Sequence, residues 1–389
     1  MASAVPPVRQ QPVIIGAGPA GCAAAIRLAR AGLQPLLLER ATGPVDKVCG
    51  DFLSADTITQ AKSLGVDPLA LGAAPVHRMR LVQGRQSVET PLPFDAVGLS
   101  RRTFDAALLA QAVQAGASLR TGQAVREIAP AGSTWCIRSD RGVSLEATTV
   151  FLATGKHDLR SMPRDGRSAG AVGLKMYYRP AADTARELAG TIELILFPGG
   201  YAGVQPVEDG RIVVCAAIRP QALKAVGGWD RLLAEHPHLS ARLRYAHPLL
   251  SRTLAIAGVP YGYRAKPDPS GVFRLGDQGA VIPSLTGDGM SIALHSGWSA
   301  ADAWLAGMDA ASWQRDLAKT LAPQMRLAGV LHEIALHRAG QEVGMHLARL
   351  WPGLLRAFAS RTRLRAVGRL AALGPHAPVP LQPVQAERC

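Results

Sequence analysis

The chain has 389 residues, 48% of them hydrophobic and 19% charged, which exceeds one ordinary core and excludes a disordered or fibrous protein. Its formal net charge of +14 comes mainly from arginine scattered through every segment, with seven lysines among 43 basic residues, so no nucleic-acid partner is expected. Cys22, Cys49, Cys136, Cys215 and Cys389 lie far apart without a CxxC pair, which excludes a disulfide framework and a structural zinc site.

Residues 1–11 have no apolar core of signal-peptide length and are read as an unstructured start to a cytoplasmic protein. Pro12 to Ile15 then predicts a strand, Gly16-Ala17-Gly18-Pro19-Ala20-Gly21 a glycine turn, Cys22 to Leu33 a helix, and Pro35 to Leu38 a second strand ending at Glu39-Arg40. The three glycines serve different ends. Gly16 turns the chain off the strand, Gly18 lets backbone approach a diphosphate, and Gly21 lets the helix pack on the sheet. Glu39 is placed to accept hydrogen bonds from a ribose diol, which favours FAD or NAD over NADP.

The polar stretch from Ala41 to Ser54 is too long for a turn and lies beside a cofactor strand, where long loops are functional. Ser54 is expected to cap a helix toward Leu64-Gly65, and His77 to Pro93 reads as a hairpin leaving the first sheet. Ser100 caps a helix from Arg101 to Gly116, and Val150 to Leu152 is a buried strand that returns to the cofactor sheet. Alternating runs at Thr191–Phe197 and Arg211–Ala216 predict a second, mainly antiparallel sheet that builds a substrate pocket. Val272–Asp277 is a further strand ending in Gly276-Asp277, Thr286 to Met290 opens a helix, and the chain is helical from about Asp302 to a Pro-rich tail after Gly374.

Three separated motifs now fall in one order. Gly16 to Gly21, Arg101-x-x-Phe104-Asp105, and Gly276-Asp277 followed by Pro283, Gly287, Gly289 and Met290 together resemble the class A FAD-dependent oxidoreductases. That superfamily holds p-hydroxybenzoate hydroxylase-like monooxygenases, flavin halogenases and geranylgeranyl reductases, and the likeness covers residues 12 to 300. The resemblance implies an α/β fold with a Rossmann-like FAD-binding domain, discontinuous over 12–76, 100–165 and 266–310. A mainly antiparallel β substrate domain over 77–99 and 166–265 is inserted into it, with a helical C-terminal region over 311–373 and a tail over 374–389.

The same resemblance assigns Gly16, Gly18, Pro19, Ala20, Gly21, Glu39, Arg40, Arg101, Gly276, Asp277, Gly287, Gly289 and Met290 to FAD. Asp277 would meet the ribityl chain, Arg101 would lie along flavin and diphosphate, and the N–H groups at Gly289 and Met290 would face the flavin pyrimidine edge. A helix N-terminus there stabilises the negative charge of a reduced flavin. Lys47 to Leu53 resembles the geranylgeranyl reductase loop with its Cys-Gly pair, but Asp51 stands where that family has a second glycine. Cys49 is expected as proton donor or pocket wall, and Asp51 as an acid/base residue. Gly200 to Pro206 resembles the reductases' pocket strand, with Tyr201 retained, Gly203 in place of Trp and Gln205 in place of Phe, so a differently shaped substrate is expected.

No second dinucleotide motif occurs, so NAD(P)H is expected only as a transient electron donor, with Lys156, His157 and Arg160 as candidates for its phosphates. His332 and His337 are five apart, on different helical faces, and no metal is expected. The stretch from Lys319 to Arg369 carries nine Lys/Arg against Glu333 and Glu342. It is read as a lid over the substrate domain, or as a basic surface for peripheral contact with the inner face of a membrane. The function expected first is a monooxygenase acting through a flavin hydroperoxide on an apolar aromatic or polyketide-like molecule. The alternatives are reduction of a carbon–carbon double bond, as in geranylgeranyl reductase, and a non-catalytic or RNA-associated flavoprotein.

Overall fold

The computed structural model describes residues 9–164, 171–268, 270–364 and 381–382. In chain order the elements are β1 Val13–Ile15, α1 Pro19–Arg30, β2 Leu36–Leu38, β3 Phe52–Ser54, α2 Ala55–Ser63, β4 Ala74–Gln83, β5 Gln86–Gly98 and α3 Arg101–Gln114. There follow β6 Ser118–Arg120, β7 Val125–Ala131, β8 Thr134–Ser139, β9 Ser144–Ala147, β10 Val150–Leu152, β11 Ala171–Arg179, α4 Ala182–Leu188, β12 Gly190–Phe197 and β13 Gly200–Pro206. The last third holds β14 Ile212–Ile218, α5 Pro220–Ala225, α6 Trp229–Glu235, α7 Pro237–Leu243, β15 Leu254–Val259, β16 Val272–Arg274, α8 Gly289–Leu305, α9 Ala310–Leu336, α10 Arg338–Leu350 and α11 Gly353–Arg361.

The strands β16, β10, β1, β2 and β6 form, in that order, a five-stranded sheet whose pairings are all parallel. Side chains alternate across it, and the two faces are covered differently. Ile14, Leu37, Phe151 and Phe273 join the core shared with α1, α3 and α8. Val13, Ile15, Leu36, Leu38, Val150 and Leu152 join the core of the β7–β8–β9 meander. Helix α1 is alanine-rich and buried from Pro19 to Ala29, so α8 comes very close: a Cβ on Gly297 would stand 2.0 Å from the Ala20 carbonyl oxygen.

The second sheet has nine strands, with order His247–Pro248, β11, β14, β13, β12, β4, β5 and β3, and with β15 also on β11. All its pairings are antiparallel except β12 with β4, and that parallel pair carries the 74–98 hairpin into the sheet of the later strands. One face packs on α4, α6 and α7 through Leu174, Met176, Ile195, Phe197, Trp229 and Leu239. The other looks back toward the parallel sheet and meets α9 and α10 through Leu81, Tyr201, Ala217, Ala335 and Met345.

The sequence-read helices are present, with shifted details. Ser100 caps α3 by accepting from the Thr103 N–H, whereas Ser54 precedes α2 without bonding its backbone, its hydroxyl meeting Thr57 and Asp288 instead. Arg9–Gln10 pairs with Leu381–Gln382, so these residues of the expected unstructured ends are held together, while 1–8, 374–380 and 383–389 lie outside the described residues.

Candidate active site

The glycine turn between β1 and α1 is forced by contact. Gly16 has φ +103°, and a Cβ there would stand 2.4 Å from the Ala153 carbonyl oxygen; one on Gly21 would stand 1.9 Å from the Gly16 carbonyl oxygen. Gly18, by contrast, has only the ends of Arg101 and Lys47 near it, at 3.9 and 4.0 Å. The turn is therefore a concave strip of backbone at a helix N-terminus, flanked by two cations, which fits a diphosphate. Asp105 fixes both cations: Arg101 Nε and Nη2 donate to it at 2.7 and 2.8 Å, and Lys47 Nζ at 2.9 Å. Burial pushes the Asp105 carboxyl up, but Arg101 and Lys47 outweigh it and hold the group below its ordinary value. Glu39 accepts from Ala17 N and Ala41 N, both at 2.9 Å, at the end of β2 where an adenosine ribose would lie; Arg40 beside it meets His157.

The third motif closes the other end of the groove. Gly276, with φ +54°, packs on Ala20 and donates its N–H to Ser296 Oγ at 2.8 Å. Gly287, with φ +70°, turns against the Phe52 ring, and Met290 is buried. Gly50, Gly155 and Gly289 have open space where a Cβ would be, and all three line the same cavity as Gly16, Gly18, Pro19 and Ala20. Asp277 is paired with Lys156 at 3.1 Å, and both line this groove. Small residues and the cations Arg101 and Lys47 line this groove, a lining that fits a dinucleotide and its diphosphate.

Cys49 lies on the cavity wall and accepts the Asp51 N–H at 3.5 Å. Asp51 does not reach the cavity, which corrects its expected acid/base role. Its backbone takes the left-handed conformation, φ 57°, and its side chain points behind the wall, fully buried. There Lys175 Nζ donates to both carboxylate oxygens at 2.8 and 2.7 Å, Tyr177 Oη donates to Oδ2 at 2.5 Å, and the Arg101 N–H reaches Oδ1 at 3.3 Å. Burial pushes the carboxyl up, and Lys175, Tyr177 and Arg101 pull against it. Lys175 also donates to the Lys47 carbonyl at 3.0 Å, so one buried cation ties both ends of the 47–51 loop to β11.

The groove opens into an apolar chamber between the second sheet and the C-terminal helices, the two forming one cavity of about 1490 Å³. Gly203 leaves its side-chain position open, the nearest atom being the Cys215 carbonyl oxygen at 3.9 Å. Gln205 Nε2 donates to the Gly50 carbonyl at 2.8 Å, and its buried Oε1 has no partner. Tyr201 Oη joins Ser284 Oγ at 2.9 Å and His332 Nδ1 at 3.3 Å, and Tyr261 Oη donates to the same serine at 2.9 Å. Ile334, Val343, Leu347, Leu355 and Phe358 wall the chamber from α9, α10 and α11. Tyr261 and Arg363 escape a motif reading because they stand alone in unpatterned stretches, Ser284 falls between the motif positions Pro283 and Gly287, and His332 is marked only as half of a histidine pair unsuited to a metal. Among the described residues there is no group of three His, Cys, Asp or Glu able to hold a metal ion, and no helix long and apolar enough to cross a membrane.

A parallel-sheet dinucleotide groove completed by two distant glycine turns and roofed by a second sheet defines a flavin-dependent oxidoreductase. Comparison with known proteins is specific on this point. Residues 9–135 match the FAD binding domain family. The chain is 30% identical over 307 residues to digeranylgeranylglycerophospholipid reductase 2 of Methanopyrus kandleri, covering 73% of this chain and 74% of that one. It is 26% identical over 322 residues to the menaquinone reductase of Mycolicibacterium smegmatis, covering 77% of each. The flavin-dependent brominase Bmp2 shares the fold, with a TM-score of 0.73 at 16% identity over 93% of this chain and 97% of that one. The chain belongs to the class A FAD-dependent oxidoreductases, the superfamily with the p-hydroxybenzoate hydroxylase-like fold that includes the geranylgeranyl reductases.

Proposed function

We propose that this FAD-dependent oxidoreductase reduces a carbon–carbon double bond in an elongated apolar substrate bearing an isoprenoid-like chain. The observation that carries this reading is the continuity of the cofactor groove with a long apolar chamber in which Gly203 leaves room. The relatives matched over most of their length point the same way, since their names assign them a geranylgeranyl lipid and a menaquinone. When bound and reduced, FAD supplies a hydride equivalent.

This chain's residues do the rest. Arg101 and Lys47 neutralise the diphosphate, Glu39 holds the ribose, and Gly289 and Met290 present a helix N-terminus to the flavin ring. Apolar walls from β12, β13, α10 and α11 exclude water and align the chain of the substrate. Cys49 Sγ, on the wall beside Gly50, holds the proton that saturation of the double bond requires at the second carbon. NAD(P)H serves as a transient donor without a dinucleotide fold of its own.

The substrate enters past α9 and α10. Val330, Ile334, Val343, Leu350 and Trp351 are exposed there, Ile334 and Val343 also line the cavity, and Arg326 of α9, Arg349 of α10, and Arg356 and Arg361 of α11 are exposed too. We read this rim as resting on an anionic membrane surface. Anaerobic turnover with NADH or NADPH and a geranylgeranyl lipid tests the function, with saturated product expected. Oxygen-dependent hydroxylation instead would establish the monooxygenase reading. Sedimentation with vesicles containing phosphatidylglycerol tests the surface, and Trp351→Glu is expected to weaken it.

A further inference from the structure

The helix that faces the flavin carries a charge that opposes its own dipole. Asp288 occupies the position before α8, fully buried; its carbonyl accepts the Ile292 N–H, but its carboxylate makes no bond to the helix backbone. A carboxylate there cancels the positive N-terminus that Gly289 and Met290 present to the cavity. Its Oδ2 has no hydrogen-bond partner, and the nearest hydroxyl, Ser54 Oγ, stands at 3.5 Å from Oδ1.

A cation from the far end of the chain meets it. Arg363, just after α11, lines the cavity with a side chain only 12% exposed, and its Nη1 is 2.7 Å from Asp288 Oδ1. Nη2 donates to the Thr286 carbonyl and, at 3.2 Å, to Thr362 Oγ1; Nε donates to Ala359 O at 3.1 Å; and the guanidinium lies 4.8 Å above the Phe94 ring. Asp56 is the second carboxylate that acts on Arg363. Burying such an arginine is costly: Nε and Nη2 are hydrogen-bonded, Nη1 meets Asp288 as an ion pair without an aligned hydrogen bond, and burial still pulls the guanidinium below its ordinary value against the two carboxylates.

We propose that Arg363 is a positioning residue of the flavin site: by neutralising Asp288 it keeps the α8 N-terminus positive toward the reduced cofactor and so raises the flavin's reduction potential. The C-terminal segment is thereby part of the redox site and not only a wall of the substrate chamber. Burial pushes the Asp288 carboxyl up to about 7, with Arg363 opposing and Asp56 adding to the rise, in keeping with a carboxylate that depends on its partner. The proposal rests on FAD occupying the groove and is independent of the substrate assigned above.

The test is the potential of the FAD-loaded protein, measured anaerobically against reference dyes with no substrate present. Arg363→Met is expected to lower the equilibrium constant for two-electron reduction at least tenfold, about 30 mV, while Arg363→Lys keeps most of it. Asp288→Asn alone is expected to shift the equilibrium the opposite way, and the Arg363→Met/Asp288→Asn pair to return it toward the parent. Should Arg363→Met not fold, Asp288→Asn and Arg363→Lys still decide the matter. An unchanged potential in Asp288→Asn, or a double variant no closer to the parent than Arg363→Met, overturns the proposal. Colourless protein would instead overturn the cofactor assignment, and absent double-bond reduction only the substrate reading.

Discussion

The cofactor groove and the substrate chamber share one cavity but are built in opposite ways. The groove is backbone and fixed charge: glycines whose missing side chains are enforced by contacts as short as 1.9 Å, and cations locked by Asp105. The chamber is side chain and vacancy: its shape comes from what β12, β13 and three C-terminal helices leave unfilled, with an open side-chain position at Gly203 in the pocket strand. A groove of the first kind accepts one ligand class and tolerates little change, whereas a chamber of the second kind is retuned by single substitutions. The contrast explains why FAD-type grooves recur while substrates differ.

The comparison breaks first at the groove. Gly21→Ala drives a Cβ into the Gly16 carbonyl and is expected to cost roughly 3 kcal/mol or more and to leave the protein without bound FAD, read from its visible absorbance and melting temperature. At the boundary, Lys175→Met strips the fully buried Asp51 of its cation and is expected to cost roughly 3–5 kcal/mol in denaturant unfolding. Adding Asp51→Asn to it should recover much of that loss.

The outer wall of the chamber sharpens the comparison through pH. Burial pushes the Glu193 carboxyl up, but His238 and Arg242 prevail and hold it at about 2. A carboxyl depressed in the folded state contributes stability above its unfolded value, here 4.5, and that contribution of about 3 kcal/mol is lost as pH falls from about 4.5 to about 2. Glu193→Gln is therefore expected to be less stable at neutral pH and flatter across that window. Smallest in stability is Gly203→Trp, which fills open space: FAD binding and melting temperature are expected to stay near the parent while KM for a long-chain substrate rises tenfold or more.

Legibility follows the same division. The glycine turn, Glu39, Arg101 and the Gly276-Asp277 and Gly287-x-Gly289 turns announce themselves because backbone geometry demands particular residue types at fixed spacing. The alternation of Thr191–Phe197 likewise marks β12, since a half-covered strand must alternate. Asp51 misleads because an acid beside a cofactor loop looks reactive in sequence. Only the fold shows Lys175, 124 positions away, claiming it from behind the wall. The pairing of Lys156 with Asp277, 121 positions on, is likewise visible only in the fold. Tyr261, Ser284, His332 and Arg363 meet the site through tertiary packing, and nothing in their local sequence marks that role.

The most direct measurement of the central claim is a single anaerobic turnover. Protein carrying FAD is reduced with stoichiometric dithionite and mixed with a geranylgeranyl lipid in the absence of oxygen, and the flavin absorbance and the product mass are followed together. Recovery of the oxidised flavin spectrum with a product heavier by two hydrogens is the predicted result. A flavin that stays reduced until air enters, followed by a product that has gained oxygen, would contradict it.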